Sequence, residues 1–62
     1  MWTSVYMTQS IETARDIRNK IEDKKIIVMM RFIRKEDRPG EDYFELLVPQ
    51  AELSEALSII VE

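Results

Sequence analysis

Residues 26–33, IIVMMRFI, are followed by the charged connection 34–42, RKEDRPGED, and by residues 43–48, YFELLV, and this stretch decides how the chain folds. Two apolar runs rich in β-branched and aromatic residues, parted by a polar segment, predict a β-hairpin. Strands agree only where residues of like character share a face. The best register turns near Asp37 and Arg38. It sets Ile33 opposite Tyr43, Arg31 opposite Glu45 and Met29 opposite Leu47 on one face, with Phe32 opposite Phe44, Met30 opposite Leu46 and Val28 opposite Val48 on the other. The second set is wholly apolar and belongs to the core. A slip of one residue would put Arg31 there, where an unpaired charge is costly.

Seven of the nine connecting residues are charged, so the connection stays in water. Pro39 and Gly40 suit the central positions of a type II turn, because proline presets the first φ and glycine accepts the positive second one. Both signs of charge are mixed there and no glycine cradle for a phosphate is present. A solvated flap is the simpler reading and a ligand-gripping loop the sharper one.

Residues 1–8, MWTSVYMT, contain no charge and suit a strand. Strict alternation directs Thr3, Val5 and Met7 to the core and Trp2, Ser4, Tyr6 and Thr8 to the opposite face. Ser10 is placed to cap a helix from Ile11 to about Lys24, with Glu12 favourable in its first turn. Ile11, Ala14, Ile17 and Ile21 form its apolar stripe with Arg18 at the edge, and Asp16 stands four residues before Lys20, close enough to pair. Lys24 and Lys25 read as the helix end, although the glycine common there is missing. After Pro49, Leu53, Ala56, Leu57 and Ile60 recur at helical spacing and predict a closing helix.

The predicted fold class is α+β: one domain spanning residues 1–62, a β-α-β-β-α open-faced sandwich corresponding to half of a ferredoxin-like fold. Both helices cover one face of a mainly antiparallel three-stranded sheet. The third strand is expected between the other two, and a parallel pairing of the first and second strands is the alternative order.

A core this small rarely yields more than ~3–5 kcal/mol without a staple. With 62 residues, no cysteine and no histidine, disulfides and thiolate or imidazole metal sites are excluded, which leaves association with another chain. A homodimer is therefore expected, with no cofactor and no metal. The formal charge of −3 has the wrong sign for neutralising phosphates, so nucleic acid is disfavoured. No apolar stretch is long enough to span a membrane, and cytoplasm is the expected location.

Val5-Tyr6 in the first strand, the polar cap, Ala14 in the first helix, Leu46 to Pro49 (LLVP) at a strand end and Ala56 in the last helix together resemble a family of small bacterial domains described as prokaryotic signal-transducing proteins. That family is compared with nitrogen-regulatory signal-transduction folds of ferredoxin-like type. The likeness implies a signalling role and brings no catalytic residues. Where the family carries a glycine between the first helix and second strand, this chain has Lys24-Lys25.

An enzyme is not expected. There is no His or Cys base or nucleophile, the serines and threonines lack an activating partner at any telling spacing, and the carboxylates are dispersed over helix surfaces. The candidate site is instead an interface on the sheet face away from the helices: Trp2, Tyr6, Ile27, Met29, Arg31, Ile33, Tyr43, Glu45 and Leu47. Aromatics on a sheet can also stack RNA bases, but that needs a basic groove which this face lacks. Two functions follow. The favoured one is a homodimeric protein-interaction or signal-transducing module, pairing through the open sheet face or the first-strand edge and open to a protein partner. The other is a small-ligand-binding regulatory domain.

Overall fold

The computed structural model describes residues 1–61. Strand β1 (Trp2–Thr8) leads into helix α1 (Ile11–Glu22). Strands β2 (Met29–Ile33) and β3 (Tyr43–Pro49) form the hairpin, and a single 3-10 turn (Gln50–Glu52) precedes helix α2 (Leu53–Ile60). The sheet has three strands in the order β1-β3-β2, with both pairings antiparallel, so the fold is α+β with a ferredoxin-like layout and β3 in the middle.

The hairpin has the expected register over five pairs, from Met29 opposite Leu47 to Ile33 opposite Tyr43. Val28 lies just outside the ladder but still packs against the core. The nine-residue connection is folded as two successive turns: the Arg38 amide donates to the Lys35 carbonyl at 3.0 Å, and the Glu41 amide to the Arg38 carbonyl at 3.1 Å. Pro39 and Gly40 take the central positions of the second turn, and Gly40 has φ +90°, the conformation that a type II turn requires there.

Ser10 caps α1, its hydroxyl accepting from the Thr13 amide at 3.2 Å. The helix ends at Glu22, two residues before the expected boundary, and the chain leaves it through Lys25 at φ +64°. This is the left-handed position normally given to glycine, and a side chain there costs about 1–2 kcal/mol. Glycine loses more chain entropy on folding, which offsets part of that relief. Lys25→Gly is therefore expected to stabilise the domain by about 0.5–1 kcal/mol, a rise of a few degrees in melting temperature by circular dichroism. An unchanged or lower value would show the strain to be absent. Arg18, at the edge of the apolar stripe, and Glu22 approach to 4.0 Å, whereas Asp16 and Lys20 form no pair among the described residues.

Ile21, Ile26, Val48, Ala56 and Ile59 make the core, with Val5, Ile17, Val28 and Ile60 packed against it. Ala14 and Leu46 are also fully buried. Three expectations are corrected. First, β1 does not alternate strictly: the pairing passes from Ser4 opposite Leu47 to Tyr6 opposite Leu46, leaving Val5 as the extra residue of a β-bulge. Beyond the bulge, Tyr6 and Thr8 share the helix-covered side with Leu46 and Phe44. Met7, opposite Glu45, turns to the open face and is 59% exposed rather than in the core.

Second, the helices lie over β1 and β3 and barely reach β2. The eight residues of α2 rise only ~12 Å, against ~23 Å for the seven of β3, so a helix starting beyond Pro49 stops short of the hairpin turn. Phe32 is consequently 49% exposed, and Phe44, only partly buried, packs on it with ring centroids 5.0 Å apart. Third, α2 buries Ala56 and Ile59 and leaves Leu57 half exposed. The run Ile59-Ile60-Val61 makes the phase of the apolar stripe ambiguous, and packing chooses Ile59.

Candidate functional site

The open face of the sheet carries Trp2, Ser4 and Met7 from β1, Tyr43, Glu45 and Leu47 from β3, and Met29, Arg31 and Ile33 from β2, as the paired registers dictate. Seven of the nine residues expected at an interface are brought together here: Trp2, Met29, Arg31, Ile33, Tyr43, Glu45 and Leu47. Ile27 precedes β2 and is largely exposed. Tyr6 does not belong to the face, because the bulge at Val5 turns it towards the helices. The same bulge supplies Met7, which alternation alone assigns to the core. A bulge leaves no mark in this uncharged stretch from which to find it.

The face is apolar at its margins and polar at its middle. Leu47, between Ser4 and Met29 across the sheet, is only 6% exposed even without a covering layer. Trp2, Met7, Ile27 and Met29 stand out into solvent. Beside Leu47 on the same strand, the Glu45 carboxylate accepts a hydrogen bond from Arg31 Nε at 2.7 Å. The Glu45 side chain is 12% exposed, whereas most of the Arg31 side chain is in solvent.

The hydrogen bond from Arg31 holds the Glu45 carboxyl below its ordinary value of 4.5; partial burial pushes the other way, and the Ser4 hydroxyl and the Arg31 charge reinforce the lowering. Since the folded-state value is depressed, the ionised carboxylate stabilises the fold above about pH 4.5, and that contribution disappears as pH falls through the lower folded-state value. Arg31 is solvated, so the pair contributes about 1 kcal/mol or less. Glu45→Gln is expected to melt below wild type at neutral pH, with the gap closing at acid pH. A gap independent of pH would remove the pair from the account.

An open hollow of about 210 Å³ lies within the flap, lined by Arg34, Lys35, Glu36, Pro39, Gly40 and Asp42. Its walls are braced from both ends. The Lys35 amide donates to Asp42 Oδ1 at 2.7 Å, and Gln9 Nε2 donates to the Gly40 carbonyl at 2.9 Å. The Lys35 ammonium stands over the Tyr43 ring, 5.8 Å from its centroid, joining the flap to the edge of the open face.

Among the described residues no cluster of carboxylates has the spacing to hold a metal ion, and no helix is long and apolar enough to cross a membrane. Compared with protein-family models, with curated proteins and with solved structures, the chain matches none of them.

Proposed function

We propose that the chain is a homodimeric protein-interaction or signal-transducing module, cytoplasmic and without catalytic activity, that self-associates through the open face of its sheet. One observation carries this reading: Trp2, Met7 and Met29 are exposed around the Leu47 and Arg31–Glu45 centre, on the side that neither helix covers. Large exposed apolar side chains gathered on one uncovered face favour an interface, and association supplies the staple that a short chain without cysteine or histidine does not carry. Sheet-on-sheet packing about a two-fold axis would double the apolar layer at a spacing of about 10 Å. Pairing of the two β1 edges is the less favoured geometry, because the bulge at Val5 interrupts a regular edge and such bulges impede strand addition. The resemblance to bacterial signal-transducing domains agrees with this role.

Met29→Glu is the test, since it puts a charge at the exposed rim of the face without touching the core. Sedimentation equilibrium at low micromolar concentration should give a dimer for wild type and a folded monomer for the variant. A wild type that is already monomeric overturns the reading. The second reading, a small-ligand-binding regulatory domain, draws on the hollow within the flap. That hollow is smaller than the ~300–1,000 Å³ of most ligand pockets and is lined by charges of both signs, which ranks it second. A rise in melting temperature with one member of a metabolite panel, in a protein that stays monomeric, would reverse the ranking.

A further inference from the structure

We infer that Met7 and Met29 form a methionine-sulfoxide switch on the open face: a peroxide oxidises both on the separated chain, and the oxidised chain no longer self-associates. This rests on the homodimer reading and adds to it a means of regulation.

The chain has four methionines and no cysteine, so its sulfur redox chemistry resides in thioethers. Their surroundings differ. Met30 faces the helices opposite Leu46 and is partly buried. Met1 is 93% exposed at the start of the chain, outside the strand. Met7 and Met29 are 59% and 38% exposed, and they flank β3 from its two sides, opposite Glu45 and Leu47 respectively. Both are thus open to a small oxidant in the free chain, and both belong to the apolar margin that a second copy would cover.

The step balances with the peroxide alone. A sulfur lone pair attacks one peroxide oxygen, the O–O bond breaks, and that oxygen is transferred to sulfur; the thioether loses two electrons, and hydrogen peroxide leaves as water. The product replaces a flexible apolar group with a strongly polar acceptor. Held between two packed sheets, that oxygen would be desolvated, and burying such a group without a donor is costly. The fold itself tolerates the change, because neither sulfur belongs to the core cluster. A face-packed dimer hides both sulfurs, so oxidation acts on the dissociated chain and removes it from the equilibrium by mass action.

Hydrogen peroxide is applied to wild type at dilute and at concentrated protein. Peptide-resolved mass spectrometry follows each methionine, and sedimentation and circular dichroism follow assembly and fold. Met7 and Met29 are expected to oxidise several-fold more slowly in the concentrated sample, while Met1 oxidises at one rate in both. The oxidised protein should sediment as a folded monomer and dimerise again after treatment with methionine sulfoxide reductases of both epimer specificities and a thiol reductant. The Met7→Leu, Met29→Leu double variant should remain dimeric throughout. Oxidation of the two residues at a rate independent of protein concentration overturns the inference, as does an oxidised protein that stays dimeric or unfolds. If untreated wild type already sediments as a monomer, the homodimer reading itself has failed, which the untreated sample shows before any peroxide is added.

Discussion

Ile21→Ala is expected to leave little folded protein at 25 °C. Ile21 is fully buried and lies in the cluster that joins α1, the segment leading into β2, β3 and α2 through Ile26, Val48, Ala56 and Ile59. Removing its outer carbons forfeits their transfer free energy and opens a cavity among residues held by three elements, for a cost of about 2–5 kcal/mol. That is comparable to the whole stability of a single core in a chain this short. Urea denaturation followed by circular dichroism measures it. Phe44→Ala is expected to cost less, because Phe44 is only partly buried and its ring partner Phe32 is itself half in water. If Phe44→Ala proves the more damaging of the two, the core lies nearer the hairpin turn than the packing indicates.

Ala56→Leu is expected to have the next largest effect, by the opposite mechanism. Ala56 is fully buried on α2, which packs on α1 and on β1 and β3. A leucine there has no free volume to occupy and must displace a helix or force neighbouring side chains off their preferred rotamers, at about 1–3 kcal/mol. The same substitution at Leu57, whose side chain is half in solvent, is no change at all, so the informative control is Leu57→Ala, expected to be mild. A neutral Ala56→Leu with a destabilised Leu57→Ala would mean that α2 is rotated about its axis from the orientation described. Both variants should be compared at one protein concentration, because association adds to apparent stability.

The hairpin was legible because its pairing is over-determined. Arg31 and Glu45 meet only in one register, and the same register matches five further apolar pairs, four of which form in the ladder, while Val28 packs against the core cluster that holds Val48. The Ser10 cap was legible for a comparable reason, since a hydroxyl immediately before a periodic apolar run has a defined local partner. The helix end was less so. Nothing local obliges Lys25 to adopt a left-handed backbone, and it does so because the chain must turn there to bring Ile26 into the core.

Most of the open face followed from the hairpin register, whereas its β1 side did not. Alternation along an uncharged strand carries no signal for a bulge, since Tyr6 and Met7 are each acceptable on either face. What decides between them is the packing of β1 under the helices, where Val5 and Tyr6 both become half-buried for the loss of one regular pair. The coverage of β2 was likewise hidden, because it depends on where a short α2 ends above the sheet.

The sequence by itself thus determined the order of elements, the hairpin register and the Arg31–Glu45 pair, each of which depends on near neighbours or on matched partners along two strands. The central place of β3 was expected and is observed, with the parallel alternative set aside by two antiparallel pairings. Tertiary structure alone decided that Met7 and not Tyr6 reaches the open face and that Ile59 rather than Leu57 enters the core. The physical reason is common to both: where one apolar residue could replace another at similar transfer free energy, only the shape of the space between the sheet and the helices distinguishes them.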